Sequence, residues 1–388
     1  MISVAGQKVA LLHDGAACLE AMQTAIAGAQ REILLEMYWF GSDRTGRKFA
    51  RLLSMRARAG LRVCITYDAF GSWDSSAAMF ADLARAGCLL HRYNPPGVWT
   101  RLHCARLQRR NHRKMLIIDG QVGFVGGLNL GDPWAPESQG GQGFRDDMVQ
   151  ITGPAVGRLR FLFFRTFRPR LAQAPAICPE AGPAKHRRDG SGIAEQAPPG
   201  HFVGADGAML SILSNRTLRQ RSVIENAYLT AIQGAQRSVL ISNSYFIPRR
   251  PMRRALAEAA RRGVDVRILT PARSDVPPAA FASQRLYTWL LAHGVGIYEW
   301  PVSVLHSKIA TVDDQWCTVG TYNLDYRSYF YNIEINIVFQ AAAVASALAA
   351  RLRADLAASH RIDADSWRYR PMTNRFLEHL FYWFRHVL

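Results

Sequence analysis

The chain has 388 residues, 49% of them hydrophobic and 20% charged, which excludes a disordered or fibrous protein and leaves room for two fused halves, each with its own core. A formal net charge of +18 and a pI near 10.2 call for an anionic partner, either nucleic acid or an anionic membrane surface. The six cysteines (Cys18, Cys64, Cys88, Cys104, Cys178, Cys317) have no C-x-x-C spacing, which argues against a zinc or redox motif and predicts buried free thiols in a reducing compartment.

Taken in order, the chain opens with a short strand at 9–12 and a helix at about 16–29. A buried strand follows at 33–40, then a helix at about 45–59 that ends at Gly60, a plausible C-cap. The next strand is 61–68, and a helix at about 76–85 ends at Gly87. Strands alternating with helices predict an α/β fold with a mainly parallel or mixed sheet covered on both faces.

The next stretch is Asn111-His112-Arg113-Lys114, followed by four apolar residues and Asp119-Gly120. It recurs as His306-Ser307-Lys308, four residues and Asp313-Asp314. With 11 His in the chain, random placement gives roughly 0.01 matches to the spacing H-x-K-x4-D. Of 48 basic residues only five are Lys, and the two motifs take two of them, so these sites favour a compact ammonium over a planar guanidinium. His and Lys two apart on a strand share one face. Two-residue hairpin turns at Asp119/Gly120 and Asp313/Asp314 then set His112 opposite Gly127 and His306 opposite Thr321, with Asn129 and Asn323 two residues beyond. Small residues beside a polar pair leave room for a phosphate.

Much else is also present twice. Residues 25–31 reappear as 231–237, 33–40 as 239–246 and 60–66 as 263–269, while Gly294 corresponds to Gly87. The domains expected are a first half at 1–168, a Pro/Gly/charge-rich linker at 169–205, a second half at 206–345 and a C-terminal helical tail at 346–388. Two like halves about a pseudo-twofold axis bring both histidines to one cleft. Two stretches mix aromatic and basic residues, 158–170 and 376–388. Each suits a membrane interface or a helix packed on the core, and the sequence does not separate these. The N-terminus lacks a signal peptide and no apolar run reaches membrane-span length, so the protein is expected to be made in the cytosol.

Two imidazoles at one phosphodiester can divide the chemistry. One attacks phosphorus and forms a phosphohistidine, while the other protonates the leaving alcohol and deprotonates the incoming one. Lys114, Lys308, Asn129 and Asn323 would stabilise the non-bridging oxygens. No metal or cofactor is expected, since the site carries its own cations. Asp119 and Asp313 sit at turns, where bracing the fold competes with a direct catalytic role.

These motifs, His112-Lys114-Asp119 with Gly126-Gly127-x-Asn129 and His306-Lys308-Asp313 with Gly320-Thr321-x-Asn323, resemble the paired motifs of the phospholipase D superfamily. Within it the chain is similar to bacterial cardiolipin synthases of the shorter kind that lacks membrane spans. Supporting segments include Phe144-Arg145-Asp146 and Asn332-Ile333-Glu334-Ile335-Asn336. The resemblance implies an acidic residue orienting each histidine. Glu334 matches that place in the second half; Asp146 is the better match in the first, with Asp147 the alternative. It also implies that His112 is the nucleophile and His306 the acid. Thr321 stands where the family often has Ser. The implied reaction is phosphatidyl transfer from phosphatidylglycerol or a related donor to a lipid alcohol, giving cardiolipin. The implied place is the bacterial cytoplasm, peripheral on the inner membrane. The alternatives are a hydrolase of the same family, either phospholipase or nuclease, and a non-catalytic membrane- or nucleic-acid-binding module.

Overall fold

The structure, a computed structural model, describes residues 1–97, 108–168, 198–215 and 220–387. In the first half the order is β1 (Ile2–Val4), β2 (Gln7–His13), α1 (Asp14–Gly28), β3 (Glu32–Met37), α2 (Arg44–Arg58), β4 (Arg62–Asp68), α3 (Ala77–Arg85), β5 (Leu89–Tyr93), β6 (Met115–Ile118), β7 (Val122–Gly126), β8 (Asp147–Thr152) and α4 (Ala155–Thr166). The second half continues with β9 (His201–Val203), β10 (Met209–Asn215), α5 (Val223–Gly234), β11 (Ser238–Asn243), α6 (Arg250–Arg261), β12 (Asp265–Pro271), α7 (Pro277–Gln284), α8 (Tyr287–Ala292), β13 (Gly296–Trp300), β14 (Lys308–Val312), β15 (Trp316–Gly320), α9 (Tyr326–Phe330), β16 (Glu334–Gln340) and α10 (Ala342–Ala357). The chain closes with β17 (His360–Arg361), α11 (Ala364–Arg368) and α12 (Met372–Trp383).

Each half is one mixed sheet flanked by helices. The first sheet runs β1-β2-β8-β7-β6-β3-β4-β5, the second β17-β13-β12-β11-β14-β15-β16-β10-β9. Removing β1, β9 and β17 leaves seven strands in the same order, which is the duplication seen in the sequence. Among the described strands, parallel pairing within the sheets occurs in β3-β4-β5 and β11-β12-β13, where helices make the crossovers. From the H-x-K segments onward the strands are joined by hairpins or pair antiparallel, so the sheets are mixed.

The sheets meet through β7 and β8 on one side and β15 and β16 on the other. Val125, Val149 and Ile151 form one core with Val319, Ile335 and Ile337. Helices α4 and α10 close it, through Leu159 and Phe163 and through Leu348 and Leu352. Two further cores lie on the outer faces of the sheets. The two halves therefore share an interior and act as one body.

The structure separates the two readings of the aromatic-basic stretches. Phe163 and Phe167 are buried in the shared core, and Arg160 lies over the Phe164 ring, so the helical part of this stretch, up to Thr166, is packed on the core. Residues 169 and 170 and the linker residues up to 197 lie outside the described residues. Helix α10 starts at Ala342 and belongs to the shared core, so the exposed tail begins after it, later than residue 346. Cys18, Cys64, Cys88 and Cys317 are buried, while Cys104 and Cys178 lie outside the described residues. Among the described residues no helix is long and apolar enough to cross a membrane.

Candidate active site

The hairpins after the two H-x-K segments are one residue longer than expected. Ile118 pairs with Val122, and Val312 with Trp316. Asp119 and Gly120, and likewise Asp313 and Asp314, have positive φ, and a third residue completes each turn. This moves the return strands by one place, so Gly127 does not lie opposite His112. Its role is close approach: a Cβ at Gly127 would collide with the Asp146 carboxylate. The regular strands also start later than expected. β6 begins at Met115, and His112 sits on an extended segment just before it.

That segment is tied to the other half. The backbone N–H of His112 donates to Ile333 O at 2.9 Å, and the N–H of His306 donates to Arg145 O at 2.8 Å. The residue after each of these carbonyls carries the carboxylate that holds the same histidine. His112 Nδ1 lies 3.0 Å from Glu334 Oε1, and His306 Nδ1 lies 2.8 Å from Asp146 Oδ2. Each imidazole is thus oriented by a carboxylate from the opposite half. A carboxylate at that distance accepts a hydrogen bond from Nδ1–H, which keeps the proton on Nδ1 and leaves the Nε2 lone pair free.

Both rings line one cleft of about 690 Å³, together with Asn129 and Asn323. Asn129 Oδ1 accepts from the Trp39 N–H, and Asn323 Oδ1 accepts from Ser244 Oγ, so each amide NH2 is the group available to the cleft. Lys114 Nζ donates to His112 O at 3.0 Å and lies over the Tyr38 ring. Lys308 Nζ donates to Ser244 Oγ at 2.8 Å and to His306 O. The four basic side chains and both carboxylates are buried.

Burial shapes the electrostatics. It pulls His112 down to about 4 and Lys114 adds to that fall, while Glu334 opposes it. Burial and then Lys308 put His306 well below its ordinary value. Burial likewise lowers Lys114 to about 7 and Lys308 to about 8. The negative charge of an arriving phosphate would raise these values again and restore protons to these groups. The carboxylates differ. Burial alone would raise Glu334, but His112, Lys114 and the Thr321 hydroxyl outweigh it and hold it below the usual range. Burial wins at Asp146 and pushes it up to about 6.

Asp119 and Asp313 are not in this cluster. Asp119 accepts from the backbone N–H groups of Gln30, Arg31 and Glu32, and Asp313 from those of Gln236, Arg237 and Ser238. They tie each hairpin turn to the start of β3 or β11, at the far end of the strand from the histidine. The expectation of a catalytic part for them is corrected to a bracing one. Asp147 also turns away from the His112 and His306 rings, toward Arg145, Ser307 and His13.

Sequence reasoning missed the groups around the rings. Tyr38 packs edge-on against His112 with centroids 4.9 Å apart, and Trp134 against His306 at 5.2 Å. Trp134 Nε1 donates to the same Asp146 oxygen that holds His306. Ser328 Oγ and Asn332 Nδ2 donate to Glu334. Tyr38 lies in a duplicated strand segment, which could have drawn attention to it; Trp134 has no counterpart signal.

Comparison with known proteins bears on the family and the fold. Residues 22–137 and 228–356 match the family described as "Cardiolipin synthase, PLD-like domain". The chain is 31% identical over 377 residues to a cardiolipin synthase of Geobacillus kaustophilus, covering 97% of this chain and 71% of that one. It is 32% identical over 333 residues to cardiolipin synthase B of Salmonella typhi, covering 86% and 76% respectively. In fold it resembles the crystal structure of phosphatidylserine synthase from Haemophilus influenzae, with a TM-score of 0.72 at 13% identity over 98% of this chain and 95% of that one. On the family match and these identities, the chain belongs to the cardiolipin synthase family of phospholipase D-like proteins.

Proposed function

We propose that the protein is a phosphatidyltransferase that makes cardiolipin from phosphatidylglycerol and a second lipid alcohol through a phosphohistidine. The observation that carries this reading is the pair of buried imidazoles in one cleft, each fixed through Nδ1 by a carboxylate of the opposite half.

In the first step His112 Nε2 attacks phosphorus. The P–O bond to the headgroup breaks, and His306, protonated once the anionic phosphate is bound, gives its proton to the leaving glycerol oxygen. In the second step His306 takes the proton from the hydroxyl of a second lipid. That oxygen attacks phosphorus, the P–N bond breaks, and His112 is regenerated. Lys114, Lys308 and the amides of Asn129 and Asn323 face the charge on the non-bridging oxygens. Glu334 is firmly ionised by its donors, so it supports the more nucleophilic ring, and this favours His112 as nucleophile. Asp146 and Glu334 act as positioning residues. Action at the cytoplasmic face of a bacterial membrane, as a peripheral protein, follows from the same substrate.

The test is to incubate pure protein with phosphatidylglycerol, with and without phosphatidylethanolamine or added glycerol, and analyse the lipids. Cardiolipin with release of glycerol supports the reading. Phosphatidic acid alone would make the protein a hydrolase. No change in lipid together with cleavage of DNA would make it a nuclease.

A further inference from the structure

The last helix has two apolar faces, and the protein uses only one. On the inner face Leu377 is half-buried, Phe381 stacks on Phe281 with centroids 5.9 Å apart, and Glu378 is buried in a two-bond pair with Arg370. On the outer face Met372, Phe376, Leu380 and Trp383 follow a spacing of four, four and three, one stripe along the helix. Met372 is 82% exposed, Phe376 66% and Trp383 80%. Phe384 and Val387 continue the exposed apolar surface. Among the described residues from 372 to 387 the one acidic side chain is Glu378, which is spent on Arg370, while Arg375, His379 and His386 are exposed.

This surface meets the cleft. Val387 lines it, and its carbonyl accepts from Arg327 on the cleft wall at 2.9 Å. Across the opening the first half offers Phe70 and Trp73, both lining the cleft, with Trp73 77% exposed. Large apolar side chains from both halves therefore line the cleft that holds the histidines.

We infer that the α12 stripe and the Phe70–Trp73 loop form one membrane-docking rim that inserts among the headgroups of an anionic bilayer around the cleft mouth. The occupant follows from the charge. On α12 the exposed aromatics lie among exposed Arg375, His379 and His386, which matches anionic headgroups over acyl chains, while the Phe70–Trp73 side, with exposed Asp74 next to it, contributes apolar surface. With the rim seated, a phosphodiester reaches His112 and His306 while its acyl chains stay in the lipid. The inference rests on the lipid reading of the cleft and adds the surface that delivers the substrate.

The experiment compares the protein with Leu380→Glu plus Trp383→Glu, and separately with Trp73→Glu, by co-sedimentation with vesicles of equal parts phosphatidylcholine and phosphatidylglycerol. The tail variant is also assayed on a short-chain, monomerically dispersed phosphatidylglycerol. Roughly tenfold or greater loss of vesicle binding is expected for each variant. The tail variant, whose changed residues lie outside the cleft, should keep wild-type turnover of the dispersed lipid. Undiminished vesicle binding by the tail variant overturns the inference. So does a wild-type dimer in sedimentation velocity that the tail variant dissociates, since the stripe would then be a contact between copies. Strong vesicle binding by a wild type that turns over neither lipid would instead sink the phosphatidyltransferase reading and leave the rim standing.

Discussion

The two halves of the cleft share a strand order and an H-x-K segment, yet they hold their histidines differently. Glu334, which serves His112, receives hydrogen bonds from the Thr321 and Ser328 hydroxyls and from Asn332 as well. Asp146, which serves His306, shares one oxygen between the imidazole and the Trp134 indole. The first arrangement keeps a carboxylate ionised in a buried place; the second lets burial raise it to about 6. Duplication supplied the symmetry that brings two imidazoles together, and the surroundings of the two carboxylates then broke it. A nucleophile and an acid need different basicity, so the asymmetry is what two distinct roles require.

The comparison can be broken most severely at the rings. His112→Ala and His306→Ala should each lower turnover of phosphatidylglycerol by about 10⁴-fold, in the range seen when one member of a cooperating catalytic set is removed. Circular dichroism should show both variants folded.

Next come the carboxylates. Glu334→Gln should cost on the order of 10³-fold in kcat, and Asp146→Asn roughly tenfold less, because Asp146, pushed up to about 6, is the less fully ionised of the two. Equal losses would remove the asymmetry argued above. Both effects would act on the histidine of the opposite half.

The lysines give a pH dependence. Burial lowers Lys114 to about 7 and Lys308 to about 8, so each loses its charge earlier than an exposed lysine. If the charged form stabilises the phosphate, kcat/KM falls as pH rises through 7 to 8. The acid side should fall in two steps, a first as Asp146 takes a proton near pH 6 and a second as the nucleophile does, near pH 4 for His112. Lys114→Arg should shift the alkaline fall to higher pH while lowering the plateau, since a guanidinium stays charged but does not fit as compactly.

The smallest effects belong to the turn aspartates. Asp119→Ala and Asp313→Ala should each destabilise the fold by about 1–2 kcal/mol through lost hydrogen bonds to backbone N–H groups. A lower Tm with nearly unchanged turnover at low temperature is the expected pattern. A selective loss of turnover at either position would return these residues to the catalytic set.

Much of this site could be read from the chain, for physical reasons. A duplicated motif with a rare lysine is a local pattern, and Asn129, Asn323, Asp146 and Glu334 follow it at short separations. Which carboxylate meets which histidine was not legible, because it depends on backbone bonds between residues more than 150 apart, His112 to Ile333 and His306 to Arg145. The strand register was missed by one residue because the turns at Asp119 and Asp313 take a third residue beyond the pair with positive φ. The aromatic-basic helix at 155–166 and the α12 helix look alike in composition. Only packing distinguishes them: the two halves close over the first and leave one side of the second bare.

The most direct measurement traps the intermediate. An aryl phosphodiester with a leaving group that needs no acid, carrying a label on phosphorus, is mixed with the His306→Ala and His112→Ala variants. The mixtures are quenched in alkali, which preserves phosphohistidine, and the labelled peptide is mapped. The account predicts stoichiometric label on His112 in the His306→Ala variant and none in the His112→Ala variant. Label on His306, or label persisting when His112 is absent, would contradict it.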